Sequence, residues 1–164
     1  MIETEQPGIR LEPMTAEKYR AFFSEYENDP DLLLKGQEYV PYTFSEEKVS
    51  RYVQRQKELK RIPLAIMRCE EIVGEIVFKN IEEHKSATMS IVLKNAKYKD
   101  QGIGTRAERL AIRYAFDELD IPTIFADTVL TNTRSRHVLE KVGFTLIRED
   151  GEFAYYRIDR GSGM

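Results

Sequence analysis

The sequence is poor in the residues that build disulfides and metal centres. It contains one cysteine, Cys69, and two histidines, His84 and His137, in 164 residues. A lone cysteine excludes a disulfide within the chain and also excludes a cysteine-based metal site. Because no metal-ligand spacing joins the two histidines, we expect no metal centre.

Long apolar runs and a strong excess of one charge are also missing. No apolar run approaches the roughly 20 residues that a membrane helix needs, and the N-terminal segment, with Glu3 and Glu5, lacks the pattern of a signal peptide. The net charge is −3, so no basic surface of the kind that binds nucleic acid is indicated. We therefore expect a cytoplasmic protein with neither a membrane nor a nucleic acid as its partner.

What is present is typical of one globular domain. The hydrophobic share is 41% and the charged share 32%, and the length suits a single core. Periodicity predicts seven strands and four helices in the order β-α-α-β-β-β-α-β-α-β-β. We expect the core to run from about residue 9 to residue 158, with loose ends.

Local sequence patterns place these elements. Thr43-x-x-Glu46 fits a capping box, and Asp150-Gly151 favours a type I′ hairpin. The strand–helix–strand unit over residues 86–130 requires parallel pairing, whereas the hairpins require antiparallel pairing, so a mixed sheet with helices on both faces is predicted. The predicted helices are 15–28, 43–60, 105–119 and 132–142; the strands are 9–14, 63–69, 72–81, 86–93, 121–130, 144–149 and 152–158.

A glycine loop at residues 98–105, Tyr-Lys-Asp-Gln-Gly-Ile-Gly-Thr, separates a predicted strand from a predicted helix. Its two glycines let the backbone approach a ligand without a Cβ in the way. The first turn of the helix presents unpaired N–H groups and the positive end of its dipole. Positive charge just upstream comes from Lys94, Lys97 and Lys99. The loop therefore predicts a phosphate or pyrophosphate site, with the ligand still open.

Two ligand classes fit this loop poorly. A phosphate-loop NTPase needs Gly-Lys-Ser/Thr, but here Gly104 is followed by Thr105-Arg106. Gly102-x-Gly104-x-x-Ala107, with Asp127 further on, does match a dinucleotide fingerprint. That fingerprint sits directly on a strand end, however, whereas residues 94–101 intervene here, so a dinucleotide-binding protein is kept as the weaker alternative.

Two motifs together resemble the GNAT acetyltransferase superfamily. Residues 99–104, Lys-Asp-Gln-Gly-Ile-Gly, are similar to its Q/R-x-x-G-x-G/A loop, which binds the pyrophosphate of acetyl-CoA. Residues 132–135, Asn-Thr-Arg-Ser, and 139–144, Leu-Glu-Lys-Val-Gly-Phe, resemble its second motif. Singly, these residues could be only a helix N-cap and a helix-ending glycine. The resemblance runs from Ile9 to Ile158 and is strongest to the branch that acetylates the N-termini of ribosomal proteins.

The resemblance implies acetyl transfer from the thioester of acetyl-CoA to an amine within a ternary complex. It places the pantetheine arm along the strand that ends at Leu93, where a backbone N–H polarises the thioester carbonyl. Arg134 or Arg136 either reaches the phosphates or forms a solvated helix face. The implied cofactor-binding residues are Ile91, Val92, Leu93, Lys99, Gln101, Gly102, Ile103, Gly104, Thr105, Asn132 and Ser135.

The chain departs from the family pattern where many relatives have a tyrosine that protonates the leaving thiolate. That position is Leu139 here. A thiol pKa near 8.5 makes the thiolate tolerable at neutral pH. The N-terminal acetyltransferase branch implies that Ser135, one turn earlier on the same face, is the proton donor; otherwise Ser135 only caps or packs. A non-catalytic acetyl-CoA-binding module is the alternative that the missing tyrosine allows.

The general base and the acceptor are less defined. Glu75 and Asp127 are candidate bases, although either could lie on an exposed strand face. Neutralising a lysine-like amine at pH 7 costs about 4.6 kcal/mol, against about 1–1.4 kcal/mol for an α-amine, which favours a peptide α-amine or another amine of low pKa. An acidic segment could instead attract a polyamine or be a solvated face: Glu25, Glu27, Asp29, Asp31 and Glu38. We expect a monomer or a homodimer.

Overall fold

The computed structural model describes residues 2–3, 8–29 and 36–161. Within these residues, eight strands form one sheet with four α-helices around it. The strands are β1 (Ile2–Glu3), β2 (Ile9–Pro13), β3 (Ile62–Arg68), β4 (Glu71–Glu82), β5 (Ser86–Leu93), β6 (Thr123–Val129), β7 (Thr145–Glu149) and β8 (Phe153–Asp159); the helices are α1 (Ala16–Ser24), α2 (Glu46–Glu58), α3 (Ile103–Asp117) and α4 (Thr133–Lys141).

The sheet is mixed, as the sequence predicts. Its strand order is β1-β2-β3-β4-β5-β6-β8-β7. The β5–β6 pair is parallel and the other neighbouring pairs are antiparallel. The predicted order of strands and α-helices is confirmed, with two additions: β1 pairs with β2 in a segment that was expected to be loose, and a short 3₁₀ helix, Ala96–Tyr98, follows β5. None of the helices in the described part of the chain has the length and apolar character needed to cross a bilayer.

Alternating side chains of the central strands build a separate core on each face of the sheet. On β3, Leu64 and Ile66 pack in the core beneath α3 and α4, whereas Ala65 and Met67 pack in the core beneath α1 and α2. Successive strand residues point to opposite faces, so one strand serves both cores. The sheet is therefore buried on both sides, which fixes the position of its central strands.

The parallel pair β5–β6 separates part of the way along the sheet. Its register runs from Ser86↔Thr123 to Thr88↔Phe125 and then stops, while β5 stays paired with β4 as far as Leu93↔Gly74. A Cβ on Gly74 would lie 2.8 Å from the Val92 carbonyl oxygen, which explains the glycine inside this strand. β6 therefore does not pair with residues 89–93 of β5, and the backbone edge of these residues on the β6 side is left open.

Two predicted helix boundaries are wrong. The N-cap of α2 is Ser45, whose Oγ accepts the Lys48 N–H at 3.1 Å, so the expected Thr43 capping box does not form. The Thr43 hydroxyl accepts instead from Lys48 Nζ at 2.7 Å. Helix α1 ends at Ser24 rather than near residue 28 because the following residues bond to the end of β5, where the Glu27 N–H donates to the Lys94 carbonyl at 3.0 Å.

The β7–β8 hairpin is confirmed but its turn type is not. Neither Asp150 nor Gly151 has a positive φ, which a type I′ turn requires at both positions. Asp150 Oδ1 instead accepts the N–H groups of Glu152 at 2.8 Å and Phe153 at 2.7 Å. The aspartate side chain thus closes a three-residue connection of its own.

Candidate functional site

A cavity of about 320 Å³ opens where β5 and β6 separate. This is the size range of small-molecule sites. Its walls come from the segment after α1, the end of β5 and the first turns of α3 and α4. The residues that line it are Tyr26, Glu27, Asn28, Asp29, Ile91, Val92, Leu93, Lys99, Gly104, Glu108, Asn132, Arg134, Ser135 and Val138.

The structure brings the two sequence motifs to one place. Of the residues proposed to bind a cofactor, seven line this cavity: Ile91, Val92, Leu93, Lys99, Gly104, Asn132 and Ser135. The remaining four belong to the adjoining glycine loop and helix start, where the prediction concerned their backbone: Gln101, Gly102, Ile103 and Thr105. The cavity therefore joins a strand edge, a glycine loop and a second helix start.

The first turn of α3 has the features of an anion site. Gly102 is its N-cap with φ +78° and, having no side chain, provides no cap hydrogen bond to the first-turn N–H groups. Ile103 is buried in the core and fixes the start of the helix. A Cβ built on Gly104 would meet no atom within 4 Å. Free amides at the positive end of a helix, with open space before them, suit a phosphate group.

The glycine loop is held from both sides. Tyr98 is buried and its hydroxyl donates to Glu71 at 2.8 Å. The Gln101 side chain accepts a hydrogen bond from Arg68 at 2.9 Å. On the other side, Arg134 Nε lies 2.8 Å from Asp100 Oδ1 and so connects α4 to the loop. These contacts preorganise the backbone that faces the cavity.

The lysines upstream of the loop do not all add charge to the site. Lys94 is only 1% exposed and its Nζ lies 2.8 Å from Glu25 and 3.6 Å from Glu71. Lys99 does line the cavity, but its Nζ pairs with Asp29 at 2.5 Å. The expected contribution of Lys94 is therefore wrong, because this side chain instead anchors the segment after α1 to the end of β5.

Polar groups of α4 face the cavity from the opposite wall. Asn132 is the N-cap, and its Oδ1 accepts the Ser135 N–H at 3.1 Å. Ser135 is half-buried and lines the cavity, whereas Leu139 is 3% exposed and packs in the core. Arg136 does not line the cavity; it bonds the Tyr156 hydroxyl at 3.0 Å and the Leu130 carbonyl at 3.3 Å. Of the two arginines, only Arg134 is at the site.

The two candidate bases lie in different environments. Glu75 is 3% exposed, so the alternative of an exposed strand face does not apply to it. It is the register partner of Val92, and its Oε1 accepts the Tyr52 hydroxyl at 2.9 Å. Burial raises the pKa of the Glu75 carboxyl, against the lowering effect of hydrogen bonds from the neighbouring tyrosines. Asp127 is exposed on β6 and does not line the cavity.

Two of the four described residues of the acidic segment form ion pairs. Glu25 forms an ion pair with Lys94, and Asp29 forms one with Lys99. Glu27 is exposed and lines the cavity, and Glu38 is exposed outside the cavity lining. Asp31, like the rest of residues 30–35, lies outside the described residues. The expected attraction for a polycation is thus reduced by two ion pairs within the wall itself.

Sequence reasoning missed Glu108. It lies on α3, is 1% exposed, lines the cavity, and its Oε1 has no hydrogen-bond partner among the described residues. Burial raises the pKa of this carboxyl to about 8. The sequence does contain an indication, since Glu108 is an acidic residue one turn after Gly104 between the apolar positions Ala107 and Leu110.

Comparison with known proteins adds a family and several similar folds. The family model described as the acetyltransferase (GNAT) domain matches residues 9–145. A search of curated proteins gives no significant match. Three solved structures are similar in fold: Campylobacter jejuni N-acetyltransferase PseH (21% identity, TM-score 0.71, 94% of this chain and 100% of that chain), spermidine N-acetyltransferase from Vibrio cholerae in complex with CoA and spermine (15%, 0.77, 94% and 97%), and AAC(6')-Ib in complex with parmomycin and acetyl-CoA (17%, 0.75, 93% and 94%).

Proposed function

The chain belongs to the acetyltransferase (GNAT) domain family, and we propose that it transfers an acetyl group from acetyl-CoA to a primary amine by direct attack in a ternary complex. Acetyltransferases of this family use acetyl-CoA as the acyl donor. The observation that carries the proposal is the cavity itself, because it joins the uncapped start of α3 to the free edge of β5.

Three parts of the cavity match parts of acetyl-CoA: the start of α3, the edge of β5 and the start of α4. The amides of residues 101–105, with Lys99 beside them, would hold the diphosphate at the start of α3. The edge of β5 at Ile91, Val92 and Leu93 would pair with the amides of the pantetheine arm, since β6 leaves that edge free. Asn132 would contact the arm from α4.

Bound acetyl-CoA supplies a thioester whose acyl carbon accepts the amine and whose sulfur leaves as a thiolate. A backbone N–H of β5 near residues 91–93 would donate to the acyl oxygen and stabilise the charge that develops there. Ser135 is our proposed proton donor to the sulfur, because it lines the cavity whereas Leu139 is packed in the core. A weak acid is sufficient, since thiols have a pKa near 8.5.

Glu75 is our preferred general base. Cross-strand partners have Cβ atoms about 5 Å apart on one face of a sheet, so Glu75 lies next to the Val92 wall of the cavity. Its raised pKa strengthens it as a proton acceptor. The Tyr52 hydroxyl, which donates to Glu75 at 2.9 Å, would relay the proton from the amine side. Neither Glu75 nor Asp127 lines the cavity itself. Asp127 is the weaker candidate because it is exposed on β6 and has no register partner in the cavity wall.

For the acceptor we propose a small or peptide amine of low pKa, such as the α-amine that the ribosomal-protein branch acetylates. The free-energy cost of neutralising it at pH 7 is about 1–1.4 kcal/mol, against about 4.6 kcal/mol for a lysine-like amine. The ion pairs of Glu25 and Asp29 reduce the pull on a polyamine. Spermidine and an aminoglycoside stay on the test panel, because a spermidine N-acetyltransferase and AAC(6')-Ib in complex with parmomycin have a similar fold.

The test is thiol release from acetyl-CoA with a panel of amines. The panel contains peptides that begin with alanine or serine, spermidine and an aminoglycoside, and mass spectrometry locates the acetyl group on each product. We expect at least one amine to be acetylated and the α-amines to react fastest at pH 7. If the protein binds acetyl-CoA but no amine raises thiol release above hydrolysis, the non-catalytic module replaces the enzyme.

A further inference from the structure

Glu108 is a buried carboxyl whose bonding is incomplete in the protein alone. Its side chain is 1% exposed, and its Oε1 has no hydrogen-bond partner among the described residues. Buried side-chain polar atoms are hydrogen-bonded in the large majority of cases, so each exception requires an explanation. A carboxyl in a cavity wall is explained if its partner is a ligand.

The position of Glu108 on α3 indicates which part of a ligand it would meet. Gly104 and Glu108 are four residues apart, so they share one face of the helix at a separation of about 6 Å along its axis. Both line the cavity, opposite the edge of β5. A molecule with its diphosphate at the first turn and its arm along β5 would therefore pass Glu108 just after the diphosphate.

Among the described residues, no unpaired cation lines the cavity beside Glu108 to keep it ionised. The other charged or titratable groups that line the cavity are Tyr26, whose pKa burial raises, and Glu27, Asp29, Lys99 and Arg134. Both cations have their own partners, since Lys99 pairs with Asp29 and Arg134 with Asp100. Apart from these, the described residues that line the cavity are apolar or neutral: Ile91, Val92 and Leu93 on β5, Gly104 on α3, Val138 on α4, and the polar groups of Asn28, Asn132 and Ser135. Burial without a counter-ion favours the neutral carboxylic acid.

We propose that Glu108, as a neutral carboxylic acid, hydrogen-bonds an amide of the pantetheine arm and thereby makes coenzyme A binding depend on a proton. The inference rests on the proposed use of acetyl-CoA. A protonated carboxyl has one donor and one free acceptor, which match the two halves of an amide. Ionisation removes the donor and places a negative charge about one helical turn from the diphosphate, so binding weakens.

The experiment measures coenzyme A binding by calorimetry from pH 6.5 to pH 9.5. The variants are Glu108→Gln, which keeps a donor and an acceptor but cannot ionise, Glu108→Leu, which removes both, and Glu118→Gln, a control at the exposed C-cap of the same helix. The phosphates and thiol of coenzyme A titrate equally in every series. The ratio of the wild-type Kd to the Glu108→Gln Kd therefore isolates residue 108.

We expect this ratio to be constant below about pH 7 and to rise up to about tenfold per pH unit above about pH 8. Glu108→Leu should bind at least about tenfold more weakly than Glu108→Gln at pH 7, while Glu118→Gln should follow the wild type. Parallel profiles for wild type and Glu108→Gln, with unchanged affinity in Glu108→Leu, would overturn this inference alone. Absence of binding by all folded variants would overturn the proposed function as well.

Discussion

The substitution Glu108→Gln should stabilise the ligand-free protein at neutral and alkaline pH. Glutamine has nearly the shape of the neutral acid but cannot ionise, so it preserves the packing of α3 and removes one titration. The carboxyl is 1% exposed, and burial raises its pKa from the ordinary 4.5 to about 8. The change in the free energy of unfolding follows from the difference between the pKa of this carboxyl in the unfolded and in the folded state.

The sign and size of the effect can be worked out from the two pKa values. The folded state holds the proton more tightly than the unfolded state, so the stabilisation is complete below about pH 4.5 and is lost as the pH rises to about 8. A difference of about 3.5 pKa units at about 1.36 kcal/mol each gives about 5 kcal/mol. Local relaxation around the ionised group makes this an upper value. Between pH 5.5 and pH 8 the wild type should lose about 3 kcal/mol relative to Glu108→Gln.

Urea unfolding followed by far-UV circular dichroism at several pH values measures this difference. The raised pKa of Glu75 is common to both proteins and cancels. Glu118→Gln, exposed at the end of α3, serves as the control and should run parallel to the wild type. A stability difference between wild type and Glu108→Gln that stays constant within about 0.5 kcal/mol would show that Glu108 is ionised in the folded protein.

Three further predictions concern the catalytic residues and the segment after α1. Ser135→Ala should lower kcat about tenfold to a hundredfold with little change in the KM for acetyl-CoA, and an unchanged rate would remove Ser135 as the proton donor. Glu75→Gln should lower kcat by about a hundredfold or more and flatten the acidic limb of the pH–rate profile; a larger loss in Asp127→Asn would reverse our choice of base. Lys94→Met should raise the KM for the amine more than that for acetyl-CoA, because Glu25 in the segment after α1 loses its ion pair with the end of β5; equal KM values in Lys94→Met and the exposed control Lys97→Met would contradict that role.

The fold and the outline of the site could be predicted because they depend on local patterns. The strand over residues 86–93 has the predicted bounds. A glycine inside a strand pattern is typical of a bulge or a close backbone approach, and Gly74 has both, at the register shift between β3 and β4 and against the Val92 carbonyl. The glycine loop and Asn132 were placed at the starts of α3 and α4, since residue types at helix ends follow rules that act within a few positions.

The predictions that failed depend on partners distant in sequence. Lys94 looks like a phosphate-binding cation until the fold brings Glu25 to within 2.8 Å of it. The length of α1 is set by a bond from Glu27 to the Lys94 carbonyl rather than by helix propensity. The burial of Glu75 and Glu108 also depends on distant partners. The apolar neighbours of Glu108 indicate only that it lies near the buried face of the helix; whether a carboxyl is fully buried is decided by what packs over it.

The central claim is that backbone amides at the start of α3 bind the diphosphate of coenzyme A. Calorimetry with acetyl-CoA should compare the wild type, Gly104→Val and Gly151→Val, a matched change in the β7–β8 turn. Gly104 is the better target than Gly102, because Gly102 has φ +78° and a side chain there would strain the backbone, whereas valine at Gly104 is compatible with a helix and projects into open space. We predict that the wild type and Gly151→Val bind alike and that folded Gly104→Val binds at least about a hundredfold more weakly, a loss of about 2.7 kcal/mol. No heat from the folded wild type, or equal affinity in Gly104→Val, would contradict the account.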